Sequence, residues 1–123
     1  HDGYKINYST IVKRKIAISK ITDEIKGEDS IVSIKKNNVK NIYDIRFHLM
    51  PKCKCLLTND KKSVIIKTPK NKSWVFNASS ELTLENSIYI GNGTKIQQNQ
   101  QIVITNFLKN IKQKEKWSLK KIL

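Results

Sequence analysis

The chain has 123 residues, which suits one domain with its own hydrophobic core and excludes a large catalytic barrel or toroid joined to a second module. Its 24 lysines and arginines against 10 acids give a formal net charge of +14, which favours a polyanionic partner. No apolar run approaches the roughly 18 residues of a membrane helix, and the N-terminus lacks an apolar signal region. We therefore expect no transmembrane segment and no signal peptide.

Periodicity favours β-strands along nearly the whole chain. The clearest alternation runs over 41–50, where Tyr43, Ile45 and Phe47 share one face before Pro51 ends the pattern. The alternation after Ile11 predicts that Ile16 and Ile18 face inward. We predict strands at 6–8, 11–19, 30–35, 41–50, 54–57, 63–67, 74–76, 81–84, 85–90, 100–107 and 115–119, with turns at 22–24, 36–38, 59–62, 69–72 and 91–93.

No segment carries a sustained helical period, and 112–116 is interpreted as a charged hairpin tip. About ten short strands with turn signals every 8–12 residues or so are typical of an antiparallel β-sandwich or barrel. We therefore predict one all-β domain over 1–123, an antiparallel β-sandwich of about ten short strands. Lysines on the strands would discourage pairing at the sheet edges, which explains part of the positive charge.

Several known catalytic motifs are missing from the sequence, including the nucleophile elbow, the phosphate-binding loop and the zinc-protease helix. The adjacent acids at 23–24 and 28–29 lie beside predicted turns, so we interpret them as solvated. Cys53 and Cys55 would point to one face of a strand, where they are poorly placed for a mutual disulfide. A zinc site would need two further ligands, and we predict no metal and no cofactor in this chain.

Two polar groups of residues are candidate binding sites. The first is at the N-terminus, where His1, Asp2 and Tyr4 surround a glycine and could hold a sugar hydroxyl or carboxylate. The second is on the strand at 41–50, where Arg46 and His48 share a face and could bind a uronate or sulfate. The alternatives are a frayed terminus for the first group and a salt-bridge ladder with Asp44 for the second.

Lysine outnumbers arginine by 22 to 2, and lysine, isoleucine and asparagine together make 53 of the 123 residues. Their codons are A/T-rich, so a biased genome could supply much of the charge without selection for a ligand. Bidentate recognition of phosphate or sulfate would favour arginine. We therefore do not expect a nucleic-acid partner.

Eight short blocks in order carry a resemblance to a known family. The series is similar to the C-terminal β-sheet domain of bacterial heparinase II/III-like proteins, and it covers essentially the whole chain. The blocks are H-D-G-Y (1–4), I-V-K-R-K-I-A-I-S (11–19), K-G-E-D (26–29), R-F-H-L-M-P (46–51), W-V-F (74–76), L-E-N-S-I-Y-I (84–90), Q-Q-I-V-I (100–104) and K-W-S-L-K-K-I (116–122).

The resemblance implies a C-terminal fragment of a longer polysaccharide lyase, whose sandwich could be one portion of a larger multi-sheet structure. Family members join an N-terminal α/α toroid to the sandwich and cleave uronic-acid-containing polysaccharides by β-elimination. The catalytic residues and the metal-binding motif of the family lie upstream of H-D-G-Y, so no catalytic or metal residue is assigned here. The implied partners are the toroid and an anionic polysaccharide, and the implied location is the periplasm or cell envelope.

The sequence departs from the family pattern at Val12, Met50, Gln97 and Gln98, where polar or basic groups are expected. These losses favour a domain whose role is scaffolding. The resulting hypothesis is a non-catalytic β-sandwich that supports the toroid or forms one wall of a polysaccharide cleft. The alternative hypothesis is a stand-alone binding module for anionic glycans.

Overall fold

The computed structural model describes residues 9–33, 42–91, 95–107 and 112–122. Within these ranges the chain forms nine β-strands and no helix, which confirms the predicted all-β class. The strands are β1 (Ser9–Ser19), β2 (Glu24–Ser33), β3 (Ile42–His48), β4 (Lys54–Leu57), β5 (Ser63–Lys67), β6 (Ser73–Ala78), β7 (Leu82–Gly91), β8 (Lys95–Phe107) and β9 (Lys112–Lys121).

The strands make two antiparallel sheets of unequal size. The larger sheet has six strands in the order β1-β2-β9-β6-β5-β4, and the smaller has three in the order β3-β8-β7. Consecutive strands pair at β1–β2, β4–β5, β5–β6 and β7–β8, whereas β9 lies between β2 and β6. The last strand of the chain therefore joins the two halves of the larger sheet.

The core lies between the two sheets and follows the two-residue alternation of the strands. Each strand places every second side chain on the inner face, where it leaves water. Both sheets supply fully buried side chains, and an aromatic cluster of Phe47, Phe76 and Trp117 joins them with ring centroids 4.8–5.8 Å apart. The buried core residues are Ile31, Tyr43, Ile45, Val64, Ile66, Phe76, Leu82, Ile102 and Ile104.

Gly27 of β2 lies under the aromatic cluster because its cross-strand partner is Trp117 of β9. A Cβ added at Gly27 would overlap the indole ring of Trp117. The ring therefore lies directly on the β2 backbone, at a position that no larger residue could occupy without moving the indole. This close approach explains a glycine in the interior of a strand.

Several predicted elements are confirmed and several are wrong in their extent. The strands at 41–50, 54–57 and 63–67 are observed as β3, β4 and β5. The strands predicted at 81–84 and 85–90 form the single strand β7, and β2 begins at Glu24 rather than at Ser30. Residues 112–116 are not a hairpin tip, because they pair with β2 as part of β9. The strand predicted at 6–8 and the turn at 36–38 lie outside the described residues.

The isoleucines of β1 are less buried than predicted. Ile16 is 54% exposed and Ile18 is 69% exposed, although both share the inward side of β1 with Arg14. The reason is that the three-stranded sheet is too narrow to cover the β1 edge of its six-stranded partner. The two-residue alternation in the sequence predicts on which side of a strand a residue lies. It does not predict how wide the opposing sheet is, and therefore whether that side is covered.

Candidate functional site

Of the predicted site residues, the structure describes two. His1, Asp2 and Tyr4 lie outside the described residues. Arg46 and His48 lie on β3, on the face of the three-stranded sheet that points away from the core, and both are exposed. Their assignment as a substrate-binding pair stays a prediction.

Arg46 is held by two carboxylates. Its Nη1 atom donates to Oε1 of Glu85 at 2.7 Å, and its Nη2 atom donates to Oδ2 of Asp44 at 3.4 Å. Asp44 also accepts from the hydroxyl of Thr105 at 2.8 Å. The hydrogen bond to Glu85 raises the pKa of Arg46, followed by the charges of Glu85 and Asp44. An anion that bound Arg46 would have to displace these carboxylates, so the geometry is that of the salt-bridge ladder.

An ion pair between the partly exposed Arg14 and the buried Asp29 joins β1 to β2 on the inner face of the larger sheet. Asp29 is 0% exposed and receives two hydrogen bonds from Arg14, from Nε at 2.6 Å and from Nη2 at 2.8 Å. Arg14 also lies 5.5 Å from the ring centroid of Phe47 and 5.8 Å from that of Trp117. The prediction that the acids at 28–29 are solvated is therefore wrong for Asp29, because the residue lies within a strand and points into the core.

A second carboxylate, Glu115 of β9, connects the two sheets. It is 1% exposed and accepts from the hydroxyls of Tyr43 at 2.5 Å and Ser79 at 2.7 Å. Gln113 completes the group by donating to the Tyr43 oxygen at 2.8 Å. Burial, followed by the hydrogen bond to Glu115, raises the pKa of Tyr43. Both oxygens of Glu115 are thus occupied by structural donors.

The two buried carboxylates lie next to each other, and each is held by donors within the protein. Asp29 and Glu115 are cross-strand partners, so two carboxylates lie side by side in the core. Each is satisfied by protein donors, as buried charges must be. A general acid or base needs a group that reaches substrate, and neither carboxylate reaches solvent.

The two cysteines are free thiols with intermediate burial near the β4 edge. Burial raises the pKa of both, and that of Cys55 reaches about 11. Among the described residues, no group of three or more histidine, cysteine, aspartate or glutamate side chains could hold a metal ion. In the same part of the chain, no helix is long and apolar enough to cross a membrane.

The outer face of β1, β2 and β9 carries an excess of lysine that sequence reasoning missed. Because Arg14, Asp29 and Trp117 point inward, residues of the opposite parity point outward. All seven lysines at these outward positions are exposed, and only Glu24 and Glu28 accompany them, which leaves a positive excess of five. We name this surface the lysine face, and its lysines are Lys13, Lys15, Lys26, Lys112, Lys114, Lys116 and Lys120.

Two depressions lie among these lysines. The larger, of about 500 Å³, is lined by the charged residues Lys15, Lys26, Lys116 and Glu28, by the polar residues Asn77, Ser79 and Ser118, and by Ile16, Ala17, Gly27, Ala78 and Trp117. The smaller, of about 310 Å³, is lined by residues of the same three strands, namely Lys13, Ser30, Val32, Lys112, Gln113 and Lys114.

A sequence signal for this face existed in the alternation Lys112, Lys114, Lys116 along β9. The prediction of a hairpin tip at 112–116 hid this signal, because lysines at the tip of a hairpin do not share one face of a sheet. Pairing of β9 with β2, which brings in Lys26, is a long-range contact that the local pattern does not predict.

The chain is similar to known proteins over nearly its whole length. The sequence model of the heparinase II/III-like C-terminal domain matches residues 1–118. The chain is also 26% identical over 129 aligned positions to FtsZ-localized protein C of Caulobacter vibrioides, covering 98% of this chain but only 22% of that relative. No solved structure is significantly similar to the chain. Because the family match covers nearly all of the sequence, the chain belongs to the heparinase II/III-like C-terminal domain family.

Proposed function

We propose that this chain is the non-catalytic β-sandwich of a polysaccharide lyase that acts on uronic-acid-containing polysaccharides by β-elimination. In this reaction a base removes the proton next to the uronate carboxylate while an acid protonates the leaving oxygen. The sandwich would support the α/α toroid or form one wall of the substrate cleft. The match of residues 1–118 to the family is the observation that carries the proposal.

The chemistry of the described residues favours a supporting rather than a catalytic role. Tyr43 is 3% exposed, its hydroxyl is bonded to Glu115, and its raised pKa keeps the hydroxyl protonated, so no phenolate is available to remove a proton. Arg46 is committed to Glu85 and Asp44. Catalytic groups of β-elimination must contact the sugar ring, and these side chains are occupied elsewhere.

The test is eliminative cleavage, which creates an unsaturated uronate that absorbs in the ultraviolet. Purified residues 1–123, incubated with alginate, hyaluronan and heparin, should give no such absorbance. The whole protein encoded by the reading frame should give it with at least one uronate polymer. Product formed by residues 1–123 alone would refute the non-catalytic role, and an inactive whole protein would refute the lyase assignment.

A second candidate function follows from the relative named for its localisation with FtsZ, whose alignment covers 98% of this chain. In this alternative the domain helps to place its parent protein at sites of FtsZ assembly. A fluorescent fusion of the whole protein would then follow labelled FtsZ in cells, and removal of residues 1–123 would disperse it. A diffuse fusion would exclude this alternative without bearing on cleavage.

A further inference from the structure

We infer that the lysine face binds a linear anionic polysaccharide along β2, centred on the larger depression. The choice of a polysaccharide among the possible polyanions rests on the proposed function. The location of the site rests on the arrangement of the described residues. Lys15, Lys26 and Lys116 surround the depression and come from three adjacent strands.

The distribution of charge singles out this face. On the outward side of the three-stranded sheet, Arg46 is balanced by Asp44 and Glu85. On the lysine face, Lys114 is the one described lysine within ion-pair distance of a carboxylate, with its Nζ atom 3.4 Å from Oε1 of Glu28. A codon bias that enriched lysine throughout the chain would not place this positive excess on one face.

Edge protection does not account for these lysines either. Lysines on β1 could discourage pairing because β1 is an edge strand. However, β2 and β9 are interior strands with a hydrogen-bonded neighbour on both sides, and they carry five of the seven. Neighbouring like charges on a sheet face are destabilising, so the arrangement has a cost that a bound polyanion would remove.

The geometry of the face suits a linear polymer. Outward lysines repeat every second residue, about 7 Å apart along a strand. Lys13 and Lys15 of β1 form one row, and Lys112, Lys114 and Lys116 of β9 form the other. The rows flank β2 at a separation of two strand spacings, roughly 10 Å. An extended chain lying over β2 would therefore meet cations on both sides.

The side chains between and around the lysines favour a polysaccharide over other polyanions. The outward positions of β1, β2 and β9 that the structure describes carry no aromatic residue. Trp117 also lines the larger depression, but its ring packs against Phe47 and Phe76 in the core and is not free to stack on bases. The apolar residues at these outward positions include Ala17 and Val32 but no Trp, Phe or Leu, the side chains that anchor a protein surface in lipid. Flexible lysine ammonium groups can pair with carboxylates or sulfates without a fixed fork geometry.

The test compares two triple variants with the same loss of charge. The first, Lys15→Gln/Lys26→Gln/Lys116→Gln, neutralises the depression. The control, Lys54→Gln/Lys67→Gln/Lys72→Gln, neutralises three exposed lysines near the β4 edge of the same sheet. Binding of each protein to alginate, heparin, neutral dextran, single-stranded DNA and phosphatidylserine vesicles is measured across salt concentrations. Thermal unfolding confirms that both variants are folded.

We expect the unmodified chain to bind alginate or heparin in low salt and to ignore dextran. The depression variant should lose about tenfold or more in affinity, against less than about twofold for the control, with a shallower salt dependence. Equal losses in both variants would overturn the site, since only total charge would then matter. Absence of binding, or tighter binding to DNA or vesicles than to either polysaccharide, would overturn the inference as well.

The binding site and the proposed lyase function can fail separately in these experiments. If the depression variant loses binding but the whole protein cleaves no uronate polymer, the site stands and the lyase assignment fails. If the whole protein cleaves and the depression variant binds like the unmodified chain, the lyase assignment stands and the site fails.

Discussion

At the scale of single residues, the interior of this sandwich contains two buried carboxylates that are held by hydrogen bonds. Asp29 and Glu115 face each other across β2 and β9, and each is satisfied by its own donors. The two arginine side chains are about equally exposed, at 39% for Arg14 and 38% for Arg46, but the carboxylate of Asp29 is fully buried whereas that of Glu85 is 45% exposed. The two arginines of the chain therefore provide a comparison of the same interaction in two environments.

Arg14→Ala should lower the free energy of unfolding by about 3 kcal/mol, because it leaves the carboxylate of Asp29 buried and unpaired. Arg46→Ala should cost about 1 kcal/mol or less, since its carboxylate partners remain in water. Urea unfolding of both variants measures the difference. Similar losses would show that the Asp29 carboxylate gains contact with water once Arg14 is removed.

Thiol reactivity gives a second prediction at this scale. Burial raises the pKa of Cys55 from 9.0 to about 11, so the thiolate is about a hundredfold scarcer below both values. In a Cys53→Ser variant, which removes the smaller of the two causes of the shift and keeps the burial, Cys55 should still react slowly with Ellman's reagent near neutral pH, and the rate should climb as the pH rises past the ordinary range of a cysteine. Unfolding in urea should restore the rate of an ordinary thiol. Fast reaction of the folded variant at neutral pH would contradict the burial.

At the scale of elements, β1 and β9 differ in what surrounds them. The last strand, β9, pairs on both sides and carries inward residues of the core and outward lysines. Among the described strands, β1 lies at the edge of the larger sheet, and it presents Ile16 and Ile18 beyond the cover of the smaller sheet. An exposed edge with apolar side chains is a site of association between chains.

We therefore expect residues 1–123 to self-associate at high concentration through β1. Ile16→Thr/Ile18→Thr should shift sedimentation towards the monomer and change the unfolding free energy little, because both side chains are already exposed. Leu56→Thr/Ile65→Thr, at exposed apolar positions near the opposite edge, is the control. A shift produced equally by the control, or by neither variant, would remove β1 as the interface.

At the scale of the whole molecule, a polar contact supplements the apolar core between the sheets. Tyr43 comes from the three-stranded sheet and Glu115 from the six-stranded sheet, and their hydrogen bond crosses the sandwich. The raised pKa of Tyr43 keeps its hydroxyl protonated, so it remains a donor to Glu115 above the ordinary titration range of tyrosine. The contact should therefore fix how the two sheets are aligned.

Tyr43→Phe should destabilise the fold by about 1–3 kcal/mol, because one oxygen of the buried Glu115 loses its donor. The companion variant is Ser79→Ala, which removes the other hydroxyl donor of Glu115. If the two donors act on one carboxylate, the double variant should depart from additivity in urea unfolding. Strict additivity would show that the donors are independent.

The sequence by itself determined the fold class, the hairpins around β4 and β5, and the family. The two-residue alternation and the turn residues are local features of the sequence, so they can be recognised without knowing which strands pair with each other. The shared face of Tyr43 and Ile45 followed from the same alternation, and the structure buries both side chains. The order of the eight blocks carried the family resemblance, which the match over residues 1–118 confirms.

Only the tertiary structure decided which strand faces are covered by the other sheet and which charged side chains lie together on one surface. The burial of Asp29, the exposure of Ile16 and the lysine face all depend on β9 inserting between β2 and β6 and on the narrow second sheet. These are contacts between residues far apart in the chain. A local pattern gives the parity of a side chain, but burial and electrostatic neighbours depend on what the fold places opposite it.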